Sequence, residues 1–202
     1  ANLETAITGI WDAGLLPGDR VTVIGAGTVG CLVAWVAAGI PGCEVELVDV
    51  NPSRAGVAQA LGARFAQPDT ATEGADVVLH ASGNPAGLAL ALRVAALEAR
   101  IVEMSWYGDQ PVTLPLGGAF HARRLSIVSS QVGRIPAPRQ PRWDYARRMQ
   151  VALRLLRSAA PDILISGESP FEDLPAVMAR LTTAPGNVLC HRIRYSQHES
   201  RE

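Results

Sequence analysis

Residues Val21 to Gly30 read V-T-V-I-G-A-G-T-V-G, and this run constrains the fold more than any other stretch of the chain. Val21, Thr22, Val23 and Ile24 are all β-branched and suit a short buried strand. Gly25, Gly27 and Gly30 follow in G-x-G-x-x-G spacing and lead into an apolar run, so the pattern predicts a strand, a tight turn and a helix. Each glycine then has a mechanical task. Gly25 turns the chain, Gly27 removes the Cβ that would bar an approaching pyrophosphate, and Gly30 lets helix and strand pack closely. The unpaired N–H groups at the start of such a helix favour a diphosphate. Chance glycine spacings are common in a chain with 19 glycines, but here Asp49 lies about twenty residues further on, at the end of a second apolar segment, Val45 to Val48. Its carboxylate suits ribose hydroxyls and repels a 2′-phosphate, so the spacing predicts a dinucleotide site that prefers NAD to NADP. Arg54 tempers that preference, because a nearby arginine can meet a phosphate or stack on adenine.

On either side of this run, strands alternate with helices. Leu3, Ala6, Ile7, Ile10 and Trp11 form one face of a helix over 2 to 13, with Gly14 at the C-cap. Apolar residues from Cys31 to Ala38 make the helix after Gly30, and Glu44 to Val50 the second strand. Asn51-Pro52 supplies an N-cap and an N1 proline for a helix over Ser53 to Leu61, closed by Gly62. Short strands follow at Ala63 to Ala66 and Asp76 to Ala81, and Ser82-Gly83-Asn84-Pro85 opens a helix over Ala86 to Leu97. Arg100 to Met104 is the fifth strand, Ser105 to Arg123 is less regular, and Leu125 to Ser130 is the sixth. This alternation predicts an α/β fold, a doubly wound six-stranded parallel sheet in the order 3-2-1-4-5-6. Arg134 to Arg142 reads as an exposed loop before a helix over Asp144 to Arg157. Beyond it, Ile163 to Ile165, a helix over Phe171 to Leu181 and a strand over Val188 to Ile193 form a separate, smaller layer.

At 202 residues the chain can bury roughly 70% of its unfolded surface without staples. A net charge of -1 provides no field for nucleic acid or an anionic membrane, so small molecules are the expected partners. Cys31, Cys43 and Cys190 are odd in number and scattered, which fits neither a disulfide framework nor a structural zinc site. With neither a cationic leader nor an apolar run long enough to cross a bilayer, a cytoplasmic location is expected. All 18 basic residues are arginine. The absence of lysine excludes a Walker P-loop, Schiff-base chemistry and a Tyr-x-x-x-Lys dehydrogenase site.

The chain resembles the medium-chain dehydrogenase/reductase family, the zinc-type alcohol dehydrogenases. The likeness rests on L-P-G-D-R-V-T-V-I-G-A-G-T-V-G, V-D-V-N-P-S-R at 48 to 54, L-G-A at 61 to 63, A-D-V-V at 75 to 78, A-S-G-N-P-A at 81 to 86 and the closing F-E-D-L-P-A-V. S-Q-V-G-R with the later P-R-W is similar to a bacteriochlorophyllide dehydrogenase-like subgroup. The resemblance implies that residues 1 to 17 are the connecting helix from an N-terminal catalytic domain, 18 to 157 the NAD-binding domain, and 158 to 202 the segment returning to the catalytic domain. The catalytic zinc would then lie in the N-terminal half, outside this chain, and no catalytic residue or metal ligand is assigned within it.

The implied activity is hydride transfer between nicotinamide and an alcohol or ketone. The alternatives are a non-catalytic dinucleotide-binding module and a zinc-independent, quinone-reductase-like enzyme. The expected cofactor-binding residues are Gly25, Gly27, Thr28, Val29, Gly30, Asp49, Val50, Arg54, Ser82, Gly83, Ser105 and Trp106. Ser82 and Gly83, Ser105 and Trp106, and Ser130 and Gln131 sit at the carboxyl ends of the fourth, fifth and sixth strands, where the nicotinamide end belongs. Trp106 and Tyr107 read equally as a substrate wall or as cover for the sheet edge. His80 reads as a packing residue, with a proton relay as the alternative for it and for His121; His191 and His198 lie near the tail. Arg134, Arg139 and Arg142 read as a solvated loop, with an acidic substrate as the alternative. Leu125, Ile127 and Val128 on the sixth strand predict an edge paired with a second copy, a homodimer through Arg124 to Gly133.

Overall fold

The computed structural model describes residues 1 to 184 and 186 to 195; His198 lies outside the described residues. The first helix, α1 (Asn2–Ala13), ends where Gly14 takes the left-handed conformation and donates to the Ile10 carbonyl. The sheet elements follow as β1 (Arg20–Ile24), α2 (Thr28–Ala38), β2 (Glu44–Val48), α3 (Ala55–Ala60), β3 (Arg64–Ala66), β4 (Ala75–His80), α4 (Pro85–Val94), β5 (Ala95–Glu103), α5 (Ala119–Ala122) and β6 (Ser126–Ser129). The strands are all parallel in the order β3-β2-β1-β4-β5-β6, as the alternation requires. β1 is central: Ile24 pairs with Val48 on one side and His80 on the other, which brings three strand ends to one edge.

The two faces of the sheet bury separate cores. On one, Val21, Val23, Leu47 and Leu79 meet α1 and α2 through Leu3, Ile7, Val33 and Ala34. On the other, Ile24, Val48, Val78 and Ile101 meet α4 through Leu88, Ala91 and Leu92. Strands apolar on both sides are what a sheet covered on both faces demands.

Several boundaries differ from those read in the sequence. The second strand stops at Val48 because the Asp49 carboxylate draws the chain into a turn, accepting from the N–H of Asn51. The Asn51 side chain then caps Ser53, and the first turn, Pro52–Arg54, is a 3-10 turn ahead of α3. The helix predicted to reach Leu97 ends at Val94. Ala95 is extended and pairs with Ala75, so Leu97 belongs to a longer fifth strand that bends at Glu98 with φ 58°. Near the tail, Phe171–Asp173 is a 3-10 turn before the helix proper.

The segment after β6 comprises α6 (Tyr145–Leu155), β7 (Ile165–Pro170), α7 (Leu174–Thr183) and β8 (Cys190–Arg194). β7 and β8 pair in a small parallel sheet of their own. Helix α6 starts at the Asp144 cap, which accepts from the N–H of Arg147, and is pinned to α1 by a buried guanidinium. Arg148 Nε is 3.2 Å from Glu4 Oε1, and its Nη1 donates to Thr8 Oγ1 at 3.0 Å and to the Val132 carbonyl at 2.7 Å. In the loop ahead of α6, Arg139 lies over Trp11 and so packs on an indole, while Arg147 of α6 lies over Trp143. Among the described residues no helix is long and apolar enough to cross a membrane.

Removing one member of a buried ion pair strands the other in a poor solvent. Arg148→Ala should therefore lower the unfolding free energy by about 3 kcal/mol in a urea titration. A loss within about 0.5 kcal/mol, the usual range for a surface substitution, would show that the pin does not hold α6.

Candidate dinucleotide crevice

Gly25 leaves β1 with φ 104° while its N–H still donates to the Val48 carbonyl. A Cβ there would meet Ser82 Cα and N at 2.7 Å, so the loop after β1 and the loop after β4 touch through backbone alone. A Cβ on Gly30 would overlap the Gly25 carbonyl oxygen, and one on Gly27 would meet nothing within 4 Å. These positions confirm two different demands. Gly25 and Gly30 are glycine because the protein is close, whereas the space above Gly27 is open.

Helix α2 has no side-chain cap, and its first internal bond runs from the Cys31 N–H to the Gly27 carbonyl. The N–H groups of its first turn therefore face the open space over Gly27 with the positive end of the helix dipole behind them. Cys31 lies beneath, and burial pushes its thiol up to about 12, so it is a packing residue and not a nucleophile at neutral pH.

A cleft of about 550 Å³ opens at this edge. Of the residues expected to bind a cofactor, Gly25, Gly27, Asp49, Val50, Arg54 and Ser82 line it. Thr28, Val29 and Gly30 lie in α2 behind the loop, Val29 packing toward the core. Gly83 and Ser105 stand beside the cleft and bond each other, N–H to Oγ, at 3.0 Å. Trp106 is 91% exposed and covers nothing. Lining residues that the motif did not announce are Pro68, Asn84, Ala86, Gly87 and Leu90, which come from loops and from α4. A groove at the opposite, amino edge of the sheet is lined by Arg20, paired with Asp76, by Arg64, paired with Glu46, and by Glu44.

Asp49 is half-buried, and both of its oxygens already serve the loop. Oδ2 accepts from the Ala26 N–H at 2.6 Å and Oδ1 from the Asn51 N–H at 2.8 Å. An ionised carboxylate has about four lone-pair directions, so it can brace this turn and still accept hydroxyls. Across the mouth runs a segment that sequence reading placed only at the start of a strand. Arg54 Nη1 donates to the Asn187 carbonyl, Asn51 Nδ2 to Asn187 Oδ1, and Thr28 Oγ1 to the Leu189 carbonyl, all at 2.8 to 2.9 Å. No local signal marks that contact, because its partners are more than 130 residues apart.

The carboxyl ends of β4 and β5 carry a second group. His80 is fully buried with Nδ1 2.7 Å from Glu103 Oε2 and Nε2 2.6 Å from Ser82 Oγ. Burial pushes Glu103 up, but the bond and charge of His80 and the Ser105 N–H outweigh it, and the carboxyl sits below its ordinary value. Tyr107 donates to the same carboxylate at 3.2 Å; burial first, and then the Glu103 charge, push its phenol up to about 12. Tyr107 thus belongs to this network, whereas His121 is exposed on α5 and His191 bonds Ser169.

No family model matches the chain. Among curated proteins it is 29% identical over 165 residues to the D-guloside 3-dehydrogenase of Escherichia coli K12, an alignment covering 76% of this chain and 47% of that protein. It is 32% identical over 133 residues, 60% of the chain and 38% of the relative, to the uncharacterized zinc-type alcohol dehydrogenase-like protein YphC of the same strain. Among solved structures, the alcohol dehydrogenase TADH of Thermus sp. ATN1 superposes with a TM-score of 0.76 and 25% identity, covering 97% of this chain and 56% of that one. The relatives it matches are dehydrogenases, among them a zinc-type alcohol dehydrogenase-like protein. Its fold also matches an alcohol dehydrogenase (rspB) of E. coli CFT073 complexed with cofactor NADH, with a TM-score of 0.73 and 20% identity over 95% of this chain and 56% of that one. The chain spans about half the length of the curated relatives it matches.

Gly30→Ala should cost about 1 to 3 kcal/mol of stability, since the new methyl can be accommodated only by moving the Gly25 backbone. Gly27→Ala, with open space at the same loop, should melt within a few degrees of the wild type. Equal melting temperatures for the two variants would contradict this division of roles.

Proposed function

We propose that this chain is the NAD-binding part of a zinc-type medium-chain dehydrogenase that transfers hydride between nicotinamide and an alcohol or ketone. The observation that carries the reading is the uncapped start of α2 above Gly27, with Asp49 one loop away. The donor set fits the group: N–H dipoles for a diphosphate, a carboxylate for ribose hydroxyls, and no Cβ where the backbone must approach. Bound there, a nicotinamide dinucleotide supplies the hydride acceptor or donor. The chain's own contribution is to bind and orient it, with Asp49 placed against a 2′-phosphate and Arg54 turned to Asn187. That placement favours NAD over NADP.

Zinc chemistry is proposed for the protein as a whole. As the family resemblance implies, its ligands would come from sequence outside this chain, and residues 1 to 17 and 158 to 202 would be the segments that join it. The similarity of S-Q-V-G-R and P-R-W to bacteriochlorophyllide dehydrogenases adds no substrate assignment. We also propose a homodimer through the outermost strand, whose Ile127 and Val128 are only half-buried.

NADH titration followed by fluorescence should give saturable binding, with NADPH at least tenfold weaker, and Gly27→Val should abolish it while the fold persists. Equal affinity for the two nucleotides would overturn the NAD preference, and binding unchanged by Gly27→Val would overturn the site. Sedimentation velocity at micromolar concentration should show a dimer; a clean monomer would refute the strand-edge interface.

A further inference from the structure

The Ser82–His80–Glu103 chain was not required by the dinucleotide reading, yet every one of its polar atoms is placed. Glu103, held ionised, can only accept, so the proton between it and His80 sits on Nδ1. In the neutral ring Nε2 is then an acceptor, and the hydrogen in the 2.6 Å contact must come from Ser82. Ser82 Oγ also accepts from the Asn84 N–H at 3.2 Å, which leaves it one lone pair. Ser82 is exposed and lines the cleft, so an acceptor is what the cleft meets. Helix α4 can lie on this pair only because residue 87 is glycine; a Cβ there would be 2.6 Å from His80 Nε2.

The same order of residues occurs in acyl-transfer triads, but the donors such chemistry needs are engaged. The Gly83 N–H bonds Ser105 Oγ, the Asn84 N–H bonds Ser82 itself, and the Ala86 and Gly87 N–H groups bond Asn84. None of these N–H groups in the loop after β4 is free to serve as an oxyanion hole for Ser82. The arrangement is built for recognition.

We propose that Ser82, held as an acceptor by buried His80 and its partner Glu103, receives a hydrogen bond from a ribose hydroxyl of the bound dinucleotide, and that this contact forms only while His80 is neutral. The proposal rests on the dinucleotide reading. Ser82 backbone atoms abut Gly25, so the hydroxyl lies directly beside the phosphate loop, and the unit adjoining a pyrophosphate is a ribose. A ribose hydroxyl can donate; a phosphate oxygen only accepts. When His80 gains a second proton, Nε2 becomes a donor, the Ser82 hydrogen turns to the cleft, and the acceptor is lost. The titratable groups bonded to His80 among the described residues are Glu103 on β5 and Tyr107 in the loop after it, with Ser105 the remaining polar neighbour and no charged side chain from α4.

Calorimetric titration of NADH into the protein from about pH 6 to about pH 8.5 tests this. In buffers of different ionisation enthalpy, affinity should rise with pH and binding at the acid end should release protons. Ser82→Ala should lower affinity about threefold to tenfold at the alkaline end and flatten the profile, while Ser82→Thr should restore both. Glu103→Gln, which removes the charge that stabilises imidazolium, should move the midpoint to lower pH. A Ser82→Ala profile parallel to the wild type would overturn the proposal, as would affinity that tightens toward acid, which would mean that Ser82 serves a phosphate. Binding of NADH with no pH dependence would refute this inference alone; no binding at all would remove it together with the dinucleotide reading. Ser82 is exposed, so the test does not depend on a buried His80 variant folding.

Discussion

The position of β1 in the middle of the sheet governs everything at the carboxyl edge. Because β1 is hydrogen-bonded on both sides, its last residue delivers the chain between Val48 and His80, and the strand order reverses there. The chain can leave that confined point only through a residue with positive φ and no side chain, because the Ser82 backbone occupies the space a Cβ would need. Gly25, Asp49 and Ser82 are therefore neighbours by topology. Loops that follow three different strands are held within hydrogen-bonding distance of one another, and a rigid parallel sheet fixes their separation.

The fold was largely legible in the sequence because each of its rules is local. The V-T-V-I run, the glycine spacing, Asn51-Pro52 and Asn84-Pro85 encode strand ends and helix starts within a few residues, and the alternation of types then leaves one strand order. The end of α4 differs from the sequence reading because two local signals compete there. Ala95 to Leu97 continues a helix-forming, alanine-rich run, and only pairing with Ala75 and the Glu98 N–H bond to the Arg123 carbonyl turn it into a strand. Tertiary hydrogen bonds outweigh a propensity difference of tenths of a kcal/mol per residue.

The candidate site was legible in part. Gly25, Gly27 and Asp49 announce themselves by spacing, whereas His80 reads in sequence as one polar residue in an apolar strand. Its meaning depends on Glu103, 23 residues away on the neighbouring strand, and on register, which places His80 opposite Glu103. A buried imidazole flanked by a half-buried carboxylate is a costly arrangement unless all its polar atoms are satisfied. Here they are, by Ser82, Ser105 and Tyr107. Trp106, one residue from Tyr107, points to solvent: an aromatic pair in sequence is not a pair in space.

The hydrogen bond from Thr28 to the Leu189 carbonyl joins residues 161 positions apart. The strand pairings of the doubly wound sheet are complete once β6 has been made, but this contact needs a residue beyond α7. Closure over so long a separation is slow relative to local helix and strand formation. The start of α2 is therefore built from two kinds of contact: local ones that the strand-turn-helix makes for itself, and one that ties it to a distant segment just ahead of β8.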